Sequence, residues 1–137
     1  MNEVAELSAS IRVVLVRTSH PGNIGAAARA MKTMGLSQLI LVSPKRFPDP
    51  EATARATHAA DLLETVKIYD TLPTALSGTI LVYGLSARQR DLSAPSVPLA
   101  VAADETVRRQ NSGPIAWVFG NETNGLTNDE LKWCHRL

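Results

Sequence analysis

A chain of 137 residues with 45% hydrophobic and 20% charged residues is sized and composed for one globular domain with a real core. Its formal net charge of +1 singles out neither a nucleic acid nor a membrane as partner, so any charged surface must come from local focusing. A single cysteine excludes an internal disulfide, and no stretch approaches the roughly 20 apolar residues of a membrane span.

Residues 1–10 carry Glu3 and Glu6 and lack the apolar run of a signal peptide. They read as an N-terminal extension, with the domain over 11–137 and a cytoplasmic location expected. Residues 11–16 are a β-branched apolar run broken only by Arg12, the pattern of a strand buried on both faces. The turn residues of 18–23 follow, and a helix is predicted over 24–34, stopped by Gly35. A second apolar strand spans 38–42, and Ser43-Pro44 closes it before a Pro-rich loop over 45–50. Alanine-rich 51–63 predicts a helix in one or two pieces. A short strand over 66–69, a short helix from Asp70 or Thr71 to Leu76, and a buried strand over 79–83 ended by Gly84 come next. Residues 85–98 read as a long loop and 99–109 as a helix.

Ser112-Gly113-Pro114 then turns the chain into an apolar strand over 115–119. Gly120 ends it, and a polar loop with one acid, Glu122, runs to Gly125. Thr127, with Glu130 three residues on, has the spacing of a capping box. The order β-α-β-α-β-α-β-loop-α-β-α predicts an α/β fold, a parallel sheet with helices on both faces.

On a helical wheel Ile24, Ala27, Ala28 and Met31 share the face toward the sheet, while Gly25, Arg29 and Lys32 share another. Gly25, one turn before Arg29, predicts open surface beside the guanidinium. Unpaired N–H groups at the helix start, with Arg29 and Lys32, predict a site for an anionic, phosphate-bearing partner. Taken alone, Arg29 and Lys32 fit a solvated helix face better. The loop His20-Pro-Gly-Asn-Ile-Gly at the carboxyl end of a strand, where open α/β sheets bind ligands, strengthens the site. Cys134 has no ligand pattern around it beyond the adjacent His135, so it reads as a small hydrophobe and no metal is expected.

Two separated motifs carry a resemblance. Residues 20–36, His-Pro-Gly-Asn-Ile-Gly-Ala-Ala-Ala-Arg-Ala-Met-Lys-Thr-Met-Gly-Leu, resemble the first motif of the SpoU (TrmH-like) RNA 2′-O-methyltransferases of the SPOUT superfamily. Residues 119–126, Phe-Gly-Asn-Glu-Thr-Asn-Gly-Leu, resemble the second. Ser86-Ala87-Arg88-x-Arg90 and the helix start at 127–131 are similar to the branch that methylates nucleotide 32 of tRNA. The resemblance runs from about residue 11 to 137. It implies an α/β-knot methyltransferase domain that transfers methyl from S-adenosylmethionine to a ribose 2′-hydroxyl of tRNA, without a metal and without DNA or membrane as partners.

The resemblance also implies roles. Asn23 and Arg29 belong to the catalytic and RNA end, with Glu122 the acid that helps hold the active-site loops. Leu85, Ser86, Ala87 and Gly120 line the methyl-donor pocket. Arg88 and Arg90, together with His20, Arg29 and Lys32, meet RNA. The active form is a homodimer in which each site borrows the partner's arginine, with Gly25, Ala26 and Ala30 admitting a neighbouring helix. The family's third motif, which forms the C-terminal knot, does not occur before Leu137, so the knot segment is expected to be absent and this chain alone inactive.

The chemistry leaves choices open. A guanidinium pKa above about 12 makes Arg29 a poor base, and stabilising a developing alkoxide fits as well. Glu122 alone would equally complement a helix dipole. His20 reads as a turn histidine contacting RNA or backbone before a general base. Trp117 reads as core, and Trp133 stays open between stacking on a base and packing. A non-catalytic RNA-binding module on the same fold is the alternative.

Overall fold

The computed structural model describes residues 10–85 and 97–136. Five strands, β1 (Ile11–Val16), β2 (Gln38–Val42), β3 (Lys67–Tyr69), β4 (Leu81–Leu85) and β5 (Ile115–Phe119), form one sheet in the order β3-β2-β1-β5-β4. Every pairing is parallel. The helices are α1 (Pro21–Thr33), α2 (Pro50–Ala56), α3 (Ala60–Glu64), α4 (Leu72–Ala75), α5 (Leu99–Arg109) and α6 (Asn128–Leu131), with a 3₁₀ turn at Thr57–Ala59.

The two-residue period of the strands sorts their side chains onto two faces. Ile11, Val13 and Leu15 of β1 and Leu39 and Leu41 of β2 pack with Ile24, Ala28 and Met31 of α1 and Ala52 and Ala56 of α2. The alternate residues Val14, Val16, Ile40, Val42, Ala116 and Val118 pack with Leu72, Ala75, Leu126 and Leu131 on the other face. Helix α5 joins the first face through Ala102 beside Leu81, Tyr83 and Ile115. The predicted parallel sheet with helices on both faces is therefore the fold. Arg12, the one charge in β1, turns its guanidinium to Ala75 O (3.2 Å) and Ser77 O (2.8 Å), satisfying carbonyls at the end of α4.

Three expectations change. Helix α1 begins at Pro21, three residues earlier than the pattern suggested, because proline's fixed φ and missing N–H suit a first helical position. Strand β4 runs through Gly84 to Leu85. A Cβ on Gly84 would lie 2.7 Å from Cys134 Sγ and 3.2 Å from Leu126 Cδ1, so this glycine admits the 126–134 segment onto the sheet and does not end the strand. Gly25 faces this chain's own α2. A Cβ there would lie 2.8 Å from Arg55 Cβ and 2.9 Å from Ala56 N, and closer still to Ala52 O. It neither opens the surface beside Arg29 nor leaves room for a neighbouring molecule's helix. Ala26 and Ala30 are exposed.

Beyond α6 the chain reaches the outer edge of β4, where Arg136 bridges Tyr83 in parallel. His135 N donates to Val82 O (2.8 Å), Gly84 N to Arg136 O (2.8 Å), and Val82 N to His135 Nδ1 (2.8 Å). Cys134 is buried in the second core, and burial, with Glu130 nearby, pushes its thiol up to about 11. No helix among the described residues is long and apolar enough to cross a membrane. Gly25→Ala should force α1 and α2 apart and cost about 1–3 kcal/mol in urea unfolding, as overpacking against rigid backbone does; wild-type stability would show that the crossing is not tight.

Candidate functional site

Strands β1 and β5 are neighbours, with Leu15 paired to Phe119 at their carboxyl ends. The chain leaves β1 toward β2, and it leaves β5 toward the outer edge of β4. Connections that diverge from adjacent parallel strands open a crevice at the carboxyl ends, the usual ligand position in such sheets.

The loop after β5 forms one wall. Asn121 and Gly125 pair across it (Asn121 N to Gly125 O 3.2 Å, Gly125 N to Asn121 O 2.8 Å), and Gly125 turns the chain at φ +68. A Cβ on Gly120 would lie 2.6 Å from Gly125 O, so the loop folds directly over this glycine. Asn121 Oδ1 accepts from Thr123 N (2.9 Å) and Asn124 N (3.1 Å), while its amide donates to Arg17 O (2.7 Å) and Ser19 Oγ (3.0 Å) in the loop after β1.

Glu122 completes the link between the two loops. Its carboxylate accepts from Ser19 N (2.9 and 3.1 Å), His20 N (2.8 Å) and Asn23 Nδ2 (3.0 Å). Partial burial would raise its pKa, but the Ser19 and His20 N–H groups, its own N–H and the Asn23 amide outweigh this and hold it at about 2. The anion at the start of α1 is thus the protein's own Glu122, where a free N–H cluster for a phosphate was expected.

A second tie lies beside it. Arg17, at φ +55 just past β1, meets Glu130 through two hydrogen bonds, Nε to Oε2 (2.8 Å) and Nη2 to Oε1 (2.9 Å), and donates to Gly125 O (3.1 Å). The Glu130 side chain is 14% exposed and also accepts from Thr127 N (2.7 Å), while Glu130 N donates to Thr127 Oγ1 (3.1 Å), the predicted capping box. Burial raises the Glu130 pKa, and Arg17 and Thr127 reverse this and lower it. Neither Arg17 nor Asn121 was singled out from the sequence. Their signal was position alone, an arginine immediately after a strand and an asparagine before the loop's single acid.

The structure brings His20, Asn23, Gly120 and Glu122 together, with Leu85 at the end of β4 paired to Phe119 beside them. Ser86, Ala87, Arg88 and Arg90 lie outside the described residues. Arg29 is exposed on α1, six residues past Asn23, which is about 9 Å along the axis and roughly 120° around it. Its guanidinium makes no hydrogen bond or ion pair with any described residue, and this chain does not bring it to Glu122. Lys32 is paired with Asp61 of α3 (2.9 and 3.0 Å), which lowers the Asp61 pKa. Trp117 is core, its Nε1 donating to Thr106 Oγ1 (3.0 Å) and its ring 5.5 Å from that of Tyr83. Trp133 is 51% exposed, at the rim of a cavity of about 220 Å³ with Val16, Val42 and Leu72. No group of His, Cys, Asp or Glu among the described residues could hold a metal ion.

A model of the SpoU rRNA Methylase family matches residues 10–137. The tRNA (cytidine/uridine/adenosine-2′-O-)-methyltransferase TrmJ of Pseudomonas aeruginosa is 54% identical over 125 residues, 90% of this chain and 49% of that protein. A solved structure described as a probable methylase family protein from Haemophilus influenzae Rd KW20 superposes with a TM-score of 0.86 at 46% identity, over 92% of this chain and 53% of the other. TrmJ from Z. mobilis ZM4 superposes with a TM-score of 0.87 at 31% identity, over 91% of this chain and 55% of that one. The chain spans about half the length of the curated relatives it matches.

Replacing Glu122 by Gln should cost about 1–2 kcal/mol at pH 7, since partly solvated charged hydrogen bonds are lost. The folded-state pKa of Glu122 lies below its ordinary value of 4.5, so its contribution is complete above that value and fades as pH falls from about 4.5 toward 2. Urea unfolding of the two proteins should converge over that window; a gap that persists at pH 2 would mean the carboxylate charge is not what ties the loops.

Proposed function

The chain belongs to the SpoU rRNA Methylase family, and from that premise we propose that it is the methyltransferase domain of a tRNA ribose 2′-O-methyltransferase. The observation that carries the reading is the crevice between β1 and β5, whose two loops are joined through Glu122. The tRNA 2′-O-methyltransferase named for the Pseudomonas relative supports tRNA as the substrate, and nucleotide 32 of the anticodon loop is the proposed target on the likeness of the 86–90 segment.

S-adenosylmethionine supplies, when bound, an activated methyl group for in-line displacement by the ribose oxygen. The described residues fit such a group. Leu85 and Gly120 stand at the ends of adjacent strands and are both partly exposed there, and Ser86 and Ala87, outside the described residues, are proposed donor-binding residues with them. Glu122 fixes the loop that carries Gly120 and orients Asn23 through its amide. Holding both loops still before substrate arrives is the contribution a displacement reaction needs most, because aligned reactants gain orders of magnitude in rate.

Arg29 stabilises the negative charge that develops on the ribose oxygen as the 2′-hydroxyl gives its proton to solvent, and it grips the adjacent phosphate. The active form is proposed to be a homodimer in the cytoplasm, because Arg29 stands about 9 Å along α1 from Asn23 in one chain and a partner's copy would complete the site. His20, Arg88 and Arg90 meet RNA phosphates, and Lys32 contributes in exchange for its Asp61 partner.

The test is methyl transfer to an unmodified tRNA transcript by the protein carrying this domain, with the product mapped by mass spectrometry. Methyl is expected on one ribose, at nucleotide 32. Arg29→Lys, which keeps charge and loses the fork, should lower turnover at least about 100-fold, within the range of losing one oxyanion donor. Near-normal turnover would remove Arg29 from the catalytic set, and methylation of a base or of no tRNA would overturn the reading.

A further inference from the structure

The described cations divide into two groups. Arg17, Lys32, Arg108, Arg109, Lys132 and Arg136 each face a carboxylate within 4 Å. Arg12 is committed to the carbonyls of Ala75 and Ser77. Arg29, Lys45, Arg46, Arg55 and Lys67 form no ion pair with any described residue, and all are exposed. Lys67 stands on the outer strand β3. The other four gather on α1, α2 and the loop between β2 and α2.

Backbone contacts place two of them beside the crevice. Lys45 N donates to Thr18 O (3.0 Å), which sets the β2–α2 loop next to the Ser19 and His20 N–H groups that hold Glu122. The Arg55 stem crosses the start of α1, with Cγ 3.5 Å from where a Cβ on Gly22 would be and Cβ 2.8 Å from the same point at Gly25. The acids in this area are Glu122, held by the Ser19 and His20 N–H groups, Glu51, whose Oε1 approaches the Gly22 position at 3.1 Å, and Asp49, whose Oδ1 accepts from Glu51 N to cap α2. Arg29, Lys45, Arg46 and Arg55, which form no ion pair with any described residue, are all exposed to solvent. A single phosphate would call for converging buried donors, whereas a row of exposed cations suits a polymer that presents one charge per residue.

We propose that Lys45, Arg46 and Arg55 form a phosphate track that leads an RNA strand across the start of α1 to the Glu122-locked crevice. The inference rests on the RNA methyltransferase reading and adds three positioning residues to it. Contacts of this kind set register and orientation and carry no sequence information.

Fluorescence anisotropy of this chain with an unmodified tRNA transcript, titrated at several salt concentrations, tests it. Each of Lys45→Gln, Arg46→Gln and Arg55→Gln should reduce the slope of log K against log salt by about 1 and weaken binding about fivefold near 0.15 M salt, at an unchanged thermal midpoint. Arg55→Lys should retain wild-type behaviour, because it keeps the charge, and Lys67→Gln should change neither slope nor affinity. Wild-type slopes in the three Gln variants, or an equal loss in Lys67→Gln, would overturn the track while leaving the RNA reading intact. Failure of the wild-type chain to bind tRNA even at about 0.05 M salt would overturn the track and, with it, tRNA as the partner of this domain.

Discussion

One carboxylate makes two loops into a single body. Glu122 comes from the turn after β5, and its donors come from the turn after β1 and the first turn of α1. Without that bond only the links made by Asn121 and Arg17 would join the two turns, and none would reach the first turn of α1. Asn121 and the Arg17–Glu130 pair reinforce the connection from either side, one through Arg17 O and Ser19 Oγ, the other through the capping box of α6. The walls of the site are therefore set by hydrogen bonds between charged and backbone groups, which are directional, and the apolar cores beneath them set only where the strands end. Such support by neighbouring polar groups holds reactive groups to sub-ångström tolerance.

The fold was legible because its signals are periodic. The runs at 11–16, 38–42 and 115–119 have the same bounds as β1, β2 and β5, and the capping box at Thr127 and Glu130 forms as its spacing implies. Two of the misreadings share one cause, glycines whose reason lies across space. Gly84 looks like a strand terminator until Cys134 Sγ is placed 2.7 Å from its missing Cβ, and Gly25 looks like open surface until α2 is packed on it. Local pattern cannot tell a glycine that ends an element from one that admits a neighbour.

The site was legible as a pair of motifs, and less so as a set of contacts. His20, Asn23, Gly120 and Glu122 do converge. Arg29 stands apart from them on the helix, and Lys32 faces Asp61 from a helix nearly thirty residues downstream, a pairing no spacing rule reveals. Arg17 was invisible because its role depends on a left-handed backbone turn that aims a side chain at Glu130, over a hundred residues later. Charge in a sequence is a count, and what a structure adds is which charges are already answered.

The pairing of His135 and Arg136 with the outer edge of β4 has a consequence for solubility. Open sheets present unpaired N–H and C=O groups at both borders, and such borders invite other chains to add strands. Here one border is occupied by the chain's own backbone, with Val82 N further engaged by the His135 ring. The other border, β3, is kept to three residues and opens with Lys67. A parallel sheet with strongly apolar inner strands is thereby closed to edge-to-edge association, on one side by cover and on the other by brevity and charge.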